Sequence, residues 1–169
     1  RRRPPKCVRP PGQPRLSLAT HLERGDGVSP TFIPMAGDSV SLDQVAGTKA
    51  RDLARLLKAG SLPFASLVEL RRIGSNDVVV FDVTVERPQK KTHPIAREER
   101  IAAVFDEADA TMPEVLALRA DFPRVPHLNL RREELPRSLC LYDEPYRELK
   151  LRWTSAGFIE RVRQWLALT

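Results

Sequence analysis

Cysteine is scarce in this chain: there are two in 169 residues, Cys7 and Cys140, 133 positions apart. That gives little support to a disulfide framework and fits a reducing, cytoplasmic setting, where a free thiol persists. Histidine is scarce too, with three residues. Cys140 with His127, and Cys7 with His21, supply two ligands each, where zinc takes about four at close spacing. No histidine follows Cys140, which removes the order of a papain-like protease. The chain lacks a phosphate-binding loop and a glycine-rich nucleotide fingerprint. It lacks an apolar run long enough to span a membrane. No signal peptide is visible in it, because its basic start runs into prolines. No internal repeat is present, and no metal or cofactor is expected.

The net charge of +6 is not spread over the chain. Residues 1–15 hold six basic side chains, no acid and five of the fifteen prolines. The other 154 residues hold 22 basic and 22 acidic side chains, so the excess describes a tail and not a binding face. This argues against nucleic acid as a partner, since a tail alone binds it weakly and salt-dependently. Length and an apolar content of 41% set one globular domain with an appendage. Residues 1–40 read as a basic, proline-rich tail or linker with an irregular segment that drapes over the domain. Residues 41–169 read as the domain itself. The chain does not begin with Met and stops inside an amphipathic helix pattern, so a piece of a longer protein is expected.

Helical spacing of Leu42, Val45, Ala46, Leu53, Leu56 and Leu57 predicts a helix over 41–59. Ser41 and Gln44 form a capping box at its start and Gly60 stops it. The period then changes. Residues 64–73 read as a strand, residues 74–77 as a turn, and residues 78–86 as a strong β run. In that run Val79, Phe81, Val83 and Val85 share the core face. A polar loop covers 87–98, strands follow at 99–105 and 114–120, and short connections favour an antiparallel meander. Residues 121–150 read as mostly irregular. A last helix is predicted near 155–168, with Phe158, Ile159, Val162, Trp165 and Leu166 buried and Glu160, Arg161, Arg163 and Gln164 facing out. Trp153 and Trp165 read as core. The fold class is α+β: an N-terminal helix, a four-stranded antiparallel meander, a long loop and a C-terminal helix.

The long loop carries the chemistry. Pro126-His127-Leu128-Asn129 precedes Ser138-Leu139-Cys140-Leu141-Tyr142, which brings an imidazole, an amide and a lone thiol into one stretch. The competing reading makes Cys140 a small buried hydrophobe between Leu139 and Leu141.

The element order, with one cysteine in the long loop, resembles the ubiquitin-conjugating enzyme fold. Met112-Pro113-Glu114-Val115 resembles that family's proline-led start of the fourth strand. His127-Leu128-Asn129 resembles its His-Pro-Asn motif, and Ser138-Leu139-Cys140-Leu141 resembles the context of its active-site cysteine. Trp153-Thr154 resembles the Trp before its next helix. The run from Asp121-Phe122-Pro123 through Trp165-Leu166 resembles bacterial members found beside, or fused to, a ubiquitin-like activating enzyme and linked to antiphage defence. The resemblance covers residues 41–169. Two departures stand out: Leu128 replaces the central Pro, and His127 and Cys140 lie thirteen residues apart, a few more than in the eukaryotic enzymes.

This resemblance implies a carrier. Cys140 takes a ubiquitin-like protein as a thioester from an activating enzyme and passes it to an amine on an acceptor protein. Only a thiolate attacks well, and a free thiol titrates near about 8.5, so a minority is ionised at neutral pH. Aminolysis passes through an oxyanion. A side-chain amide aimed at it contributes about 3 kcal/mol, and Asn129 is the candidate. The family also credits this Asn with holding the loop in shape. His127 reads as a base or as a loop-holding group, with the structural role favoured. Tyr142 and Asp143 are candidate substrate-binding residues: Tyr142 lines the acceptor groove or packs, and Asp143, like Glu144, orients the amine or is solvated. The alternative is a catalytically inactive scaffold of the same fold that binds a ubiquitin-like or activating partner, which Leu128 favours.

Overall fold

The computed structural model describes residues 30–86, 93–131 and 135–169. The readings of the basic tail and of Cys7 with His21 lie outside these residues. An antiparallel sheet carries the architecture, with strands β1 (Asp38–Ser39), β2 (Ala65–Ile73), β3 (Asn76–Thr84), β4 (Glu98–Asp106), β5 (Glu114–Ala117), β6 (Leu128–Asn129) and β7 (Arg137–Leu139). Their order across the sheet is β1-β2-β3-β4-β5-β7-β6. Among the described residues three α-helices accompany it: α1 (Thr48–Lys58), α2 (Tyr146–Leu151) and α3 (Ser155–Leu168).

The four-stranded meander expected from the sequence is therefore only the middle of a seven-stranded sheet. Strand β1 extends one side, and the β6–β7 pair, from the stretch expected to be irregular, extends the other. These added strands are two or three residues long, too short to show a period of their own. Strand β5 is also shorter than predicted, because Arg119 leaves the ladder to bridge Phe32.

The helix expected from 41 to 59 is divided. Ser41 and Gln44 do pair, with the Gln44 Oε1 accepting the Ser41 backbone N–H at 2.8 Å, but they close a single 3-10 turn over Leu42–Gln44. Val45 is extended and buried, and α1 begins three residues later. The cause is a carboxylate thirty positions away. Asp77 on β3 is 1% exposed and accepts the backbone N–H groups of Ala46 and Gly47 at 2.8 and 2.7 Å. Donors at a helix start need acceptors, and here β3 supplies them. Helix α1 buries Ala50, Leu53, Ala54 and Leu57 and ends at Gly60, whose φ of 66° suits its missing Cβ.

Strand β3 is buried on both faces. Val79, Phe81 and Val83 join the main core beneath α1 and α3, as predicted. Val78 and Val80 join a second cluster with Ala102, Leu116 and Leu118 on the opposite face. That face is covered by residues 30–40. Met35 packs on the cluster, the Ile33 N–H donates to the Leu118 carbonyl at 2.7 Å, and Phe32 lies under the Arg100 guanidinium. Helix α3 matches its predicted bounds and buried stripe, and the Thr154 hydroxyl caps it by accepting the Gly157 N–H at 3.1 Å.

Glu99 and Arg119 form a buried ion pair, 0% and 7% exposed, with Nε–Oε2 at 3.0 Å. The Ala96 N–H also donates to Glu99, and Arg119 also donates to the Pro94 carbonyl and to Asp121. Among the described residues no helix is long and apolar enough to cross a membrane.

Removing one partner of a buried pair strands the other charge, at a cost of about 3–5 kcal/mol. Arg119→Met is therefore expected to lose that much stability in urea unfolding. The double variant Arg119→Met with Glu99→Gln is expected to lose less than the single one.

Candidate active site

The β6–β7 pair places the thiol. Strand β7 docks on β5 through Leu116–Ser138 and Ala117–Arg137, and β6 docks on β7 through Leu128–Leu139 and Asn129–Ser138. The ladder runs one residue past both strands, where the Cys140 N–H donates to the His127 carbonyl at 2.9 Å. Cys140 and His127 are thus brought together by backbone geometry. His127 holds φ at 61°, a left-handed conformation that is strained for a residue with a Cβ. Its side chain is exposed.

Alternation along an extended chain decides which side chain faces where. Leu139 and Leu141 are 2% and 4% exposed and belong to the core. Cys140, between them, points the other way and is a half-buried free thiol. Its Sγ lies 3.9 Å from the Tyr142 carbonyl, a weak contact. The thiol lines a groove of about 390 Å³ with His127, Tyr142, Asp143, Arg161 and Trp165.

Asn129 has both amide hydrogens engaged, one to the Leu139 carbonyl at 3.0 Å and one to Ser138 Oγ at 3.1 Å. The amide clamps β6 to β7 next to the cysteine. Tyr142 is half-buried against the core. Burial pushes its phenol up, the Arg161 cation opposes that, and the Glu144 carboxylate adds to it. Asp143 is exposed at the groove. Among the described residues no group of three or more His, Cys, Asp or Glu side chains is placed to hold a metal ion.

Two features escaped the sequence reading. Arg161, read as facing solvent, is exposed but bends back over the loop, and its Nε donates to the Leu141 carbonyl at 2.8 Å. Its guanidinium sits 5.6 Å from the centre of the Tyr142 ring. Together Tyr142 and Arg161 also line a second groove, which reaches Trp153 and Glu144. The other feature is α2. Pro145 at its N-cap, Glu148 in its first turn and Lys150 in its last are start and stop signals that mark it.

A polar cluster anchors α2. The Lys49 Nζ from α1 donates to Asp109 Oδ1 at 2.9 Å and to the Tyr146 hydroxyl at 2.8 Å. The Tyr146 hydroxyl donates to Asp109, and the Lys150 Nζ pairs with Asp109 Oδ2 at 3.1 Å. Burial pushes the Asp109 carboxyl up, but the hydrogen bonds from Tyr146, Lys49 and Lys150 outweigh it and leave it lowered. Burial first, and then the bond to Asp109, push the Tyr146 phenol well above its usual value of 10.0.

A phenol raised in the folded state leaves stability intact below the unfolded value, near 10. Stability then falls as pH rises toward the folded value, because the unfolded chain ionises first. Tyr146→Phe is expected to flatten this alkaline decline in urea midpoints measured between about pH 8 and pH 11. Tyr142, also raised, leaves a residual slope.

A model of prokaryotic E2 family A matches residues 65–168, from β2 to the end of α3. No curated protein and no solved structure gives a match.

Proposed function

The chain belongs to prokaryotic E2 family A, and from that membership we propose that Cys140 carries a ubiquitin-like protein as a thioester. Membership itself supports a conjugating transferase that works with a ubiquitin-like protein and an activating enzyme. The thioester and its residue are our reading. The observation that carries it is the disposition of the thiol: Cys140 opens into a groove while both flanking leucines are buried. A packing cysteine would face the other way.

The proposed cycle has two transfers. Cys140 Sγ, as the thiolate, attacks the acyl carbon of the thioester on the activating enzyme, whose own sulfur leaves. An amine then attacks the new thioester, an amide forms, and Cys140 departs as the thiolate. His127 serves through its carbonyl, which holds the Cys140 backbone. Asn129 serves as a positioning residue that clamps the β6–β7 pair. Tyr142 and Asp143 face the incoming amine, Asp143 as the anion that attracts it. The setting in antiphage conjugation rests on the resemblance of the segment from Asp121 to Leu166 to defence-linked bacterial members.

One observation favours the second reading, an inert scaffold of the same fold. With both Asn129 amide hydrogens engaged, that side chain has no donor left for an oxyanion. A thioester assay separates the two. The protein is incubated with ATP and with the activating enzyme and ubiquitin-like protein encoded beside it, and resolved with and without reductant. We expect a thiol-sensitive adduct that Cys140→Ala abolishes. Binding without any adduct would replace the carrier by the scaffold.

A further inference from the structure

We propose that Arg161 is the donor that stabilises the acyl oxygen at Cys140, in the place where an amide donor is lacking. The inference rests on the carrier reading above. Aminolysis requires a stabilised oxyanion. The amine nitrogen bonds to the acyl carbon, and the carbonyl electron pair moves onto oxygen. Collapse then re-forms the carbonyl and breaks the C–S bond. Sulfur leaves with the electron pair, and the nitrogen gives its proton to solvent or to the departing thiolate. A negative oxygen beside Cys140 Sγ is the species to be stabilised, and donors aimed at it form the largest single contribution in comparable sites.

The groove offers few groups for this. Asn129 is engaged through both hydrogens. His127 holds the Cys140 backbone through its carbonyl, and its exposed imidazole has no bond among the described residues to aim it. Asp143 and Tyr142 carry the wrong charge or are half-buried against the core. Arg161 is different. It comes from α3, a helix packed firmly in the core, so its root is fixed. Its Nε is tied to the carbonyl of Leu141, the residue after the cysteine, and the side chain lines the same groove as the thiol. The Tyr142 ring supports the flat group. No carboxylate pairs with Arg161 among the described residues, and its two terminal nitrogens donate to none of them. A guanidinium carries five N–H donors in a rigid fork. One here is spent on holding position and four remain for a ligand. The same residue would bind the carbonyl oxygens of an extended acyl tail before the reaction, so charging and discharge share one donor.

Two measurements on the full chain, in a Cys7→Ser background, test this without the natural partner. The first compares alkylation of Cys140 by iodoacetate and by iodoacetamide at low salt. A cation near the sulfur favours the anionic reagent, and Arg161→Gln is expected to lower the iodoacetate-to-iodoacetamide rate ratio about threefold. Arg161→Lys is expected to keep the ratio. A purely structural loss would change both rates alike and leave the ratio unmoved, which would overturn the proposal.

The second acylates Cys140 with the thiophenyl ester of N-acetylglycine and follows discharge to free lysine by intact mass. Arg161→Gln is expected to slow discharge about tenfold to a hundredfold; an unchanged rate would overturn the proposal. The two readings fail separately. Altered Arg161→Gln chemistry with no ubiquitin-like adduct removes the carrier and keeps the donor. A normal adduct with unaltered Arg161→Gln chemistry removes the donor and keeps the carrier.

Discussion

The hydrogen bond from the Cys140 N–H to the His127 carbonyl joins the reactive thiol to the sheet, and the site depends on it. Together with the burial of Leu141 and the Arg161 bond to the Leu141 carbonyl, it sets the direction of the segment after β7. The bond continues a sheet that runs from the central strands β3 and β4 through β5 and β7 to β6, so the thiol inherits its position from the core. Ser138, Leu139 and Cys140 occupy three successive ladder positions. The first two are almost fully buried, and the third is the point at which the chain turns toward solvent.

Long-range polar contacts hold the elements around this edge. Asp77 fixes where α1 starts, Glu99 and Arg119 tie the return from the polar loop to the end of β5, and Asp109 ties α1 to α2. Each is a carboxylate that collects donors from segments far apart in the chain. The apolar core sets how tightly the layers meet but leaves their sliding unspecified. Directional bonds to these carboxylates, two of them buried, remove that freedom. Arg161 repeats the pattern at the groove with the charge reversed: a cation anchored through one nitrogen to a backbone carbonyl.

Much of the centre was legible in the sequence, because long periodic elements leave a pattern. The apolar run of β3, the stripe of α3 and the glycine stop after α1 all stand as read. The cysteine stood out through His127 and Asn129 nearby, whereas the flanking leucines, read as a ground for burial, leave it half-buried between two core side chains. What stayed hidden has physical reasons. The Ser41–Gln44 capping box was a true local signal, yet a carboxylate thirty positions away in sequence decided that it closes one 3-10 turn. Strands β6 and β7 are held by their neighbours and by the Asn129 clamp and show no periodicity of their own. The second buried face of β3 could not be inferred from β3 alone. It depends on Met35 and Phe32, two scattered residues of a segment with no visible pattern.

The pinned ladder has a consequence for how such a site can diverge. Asn129, Ser138 and the Cys140–His127 bond close the neck of the connection between β6 and β7. A loop sealed at its neck can change length while its base stays still, since each doubling adds only about 0.6 kcal/mol of closure entropy. The connection between Asn129 and Arg137 is then a spacer whose length the site does not dictate. Its sequence is at liberty to acquire a partner-reading role while the thiol keeps its place.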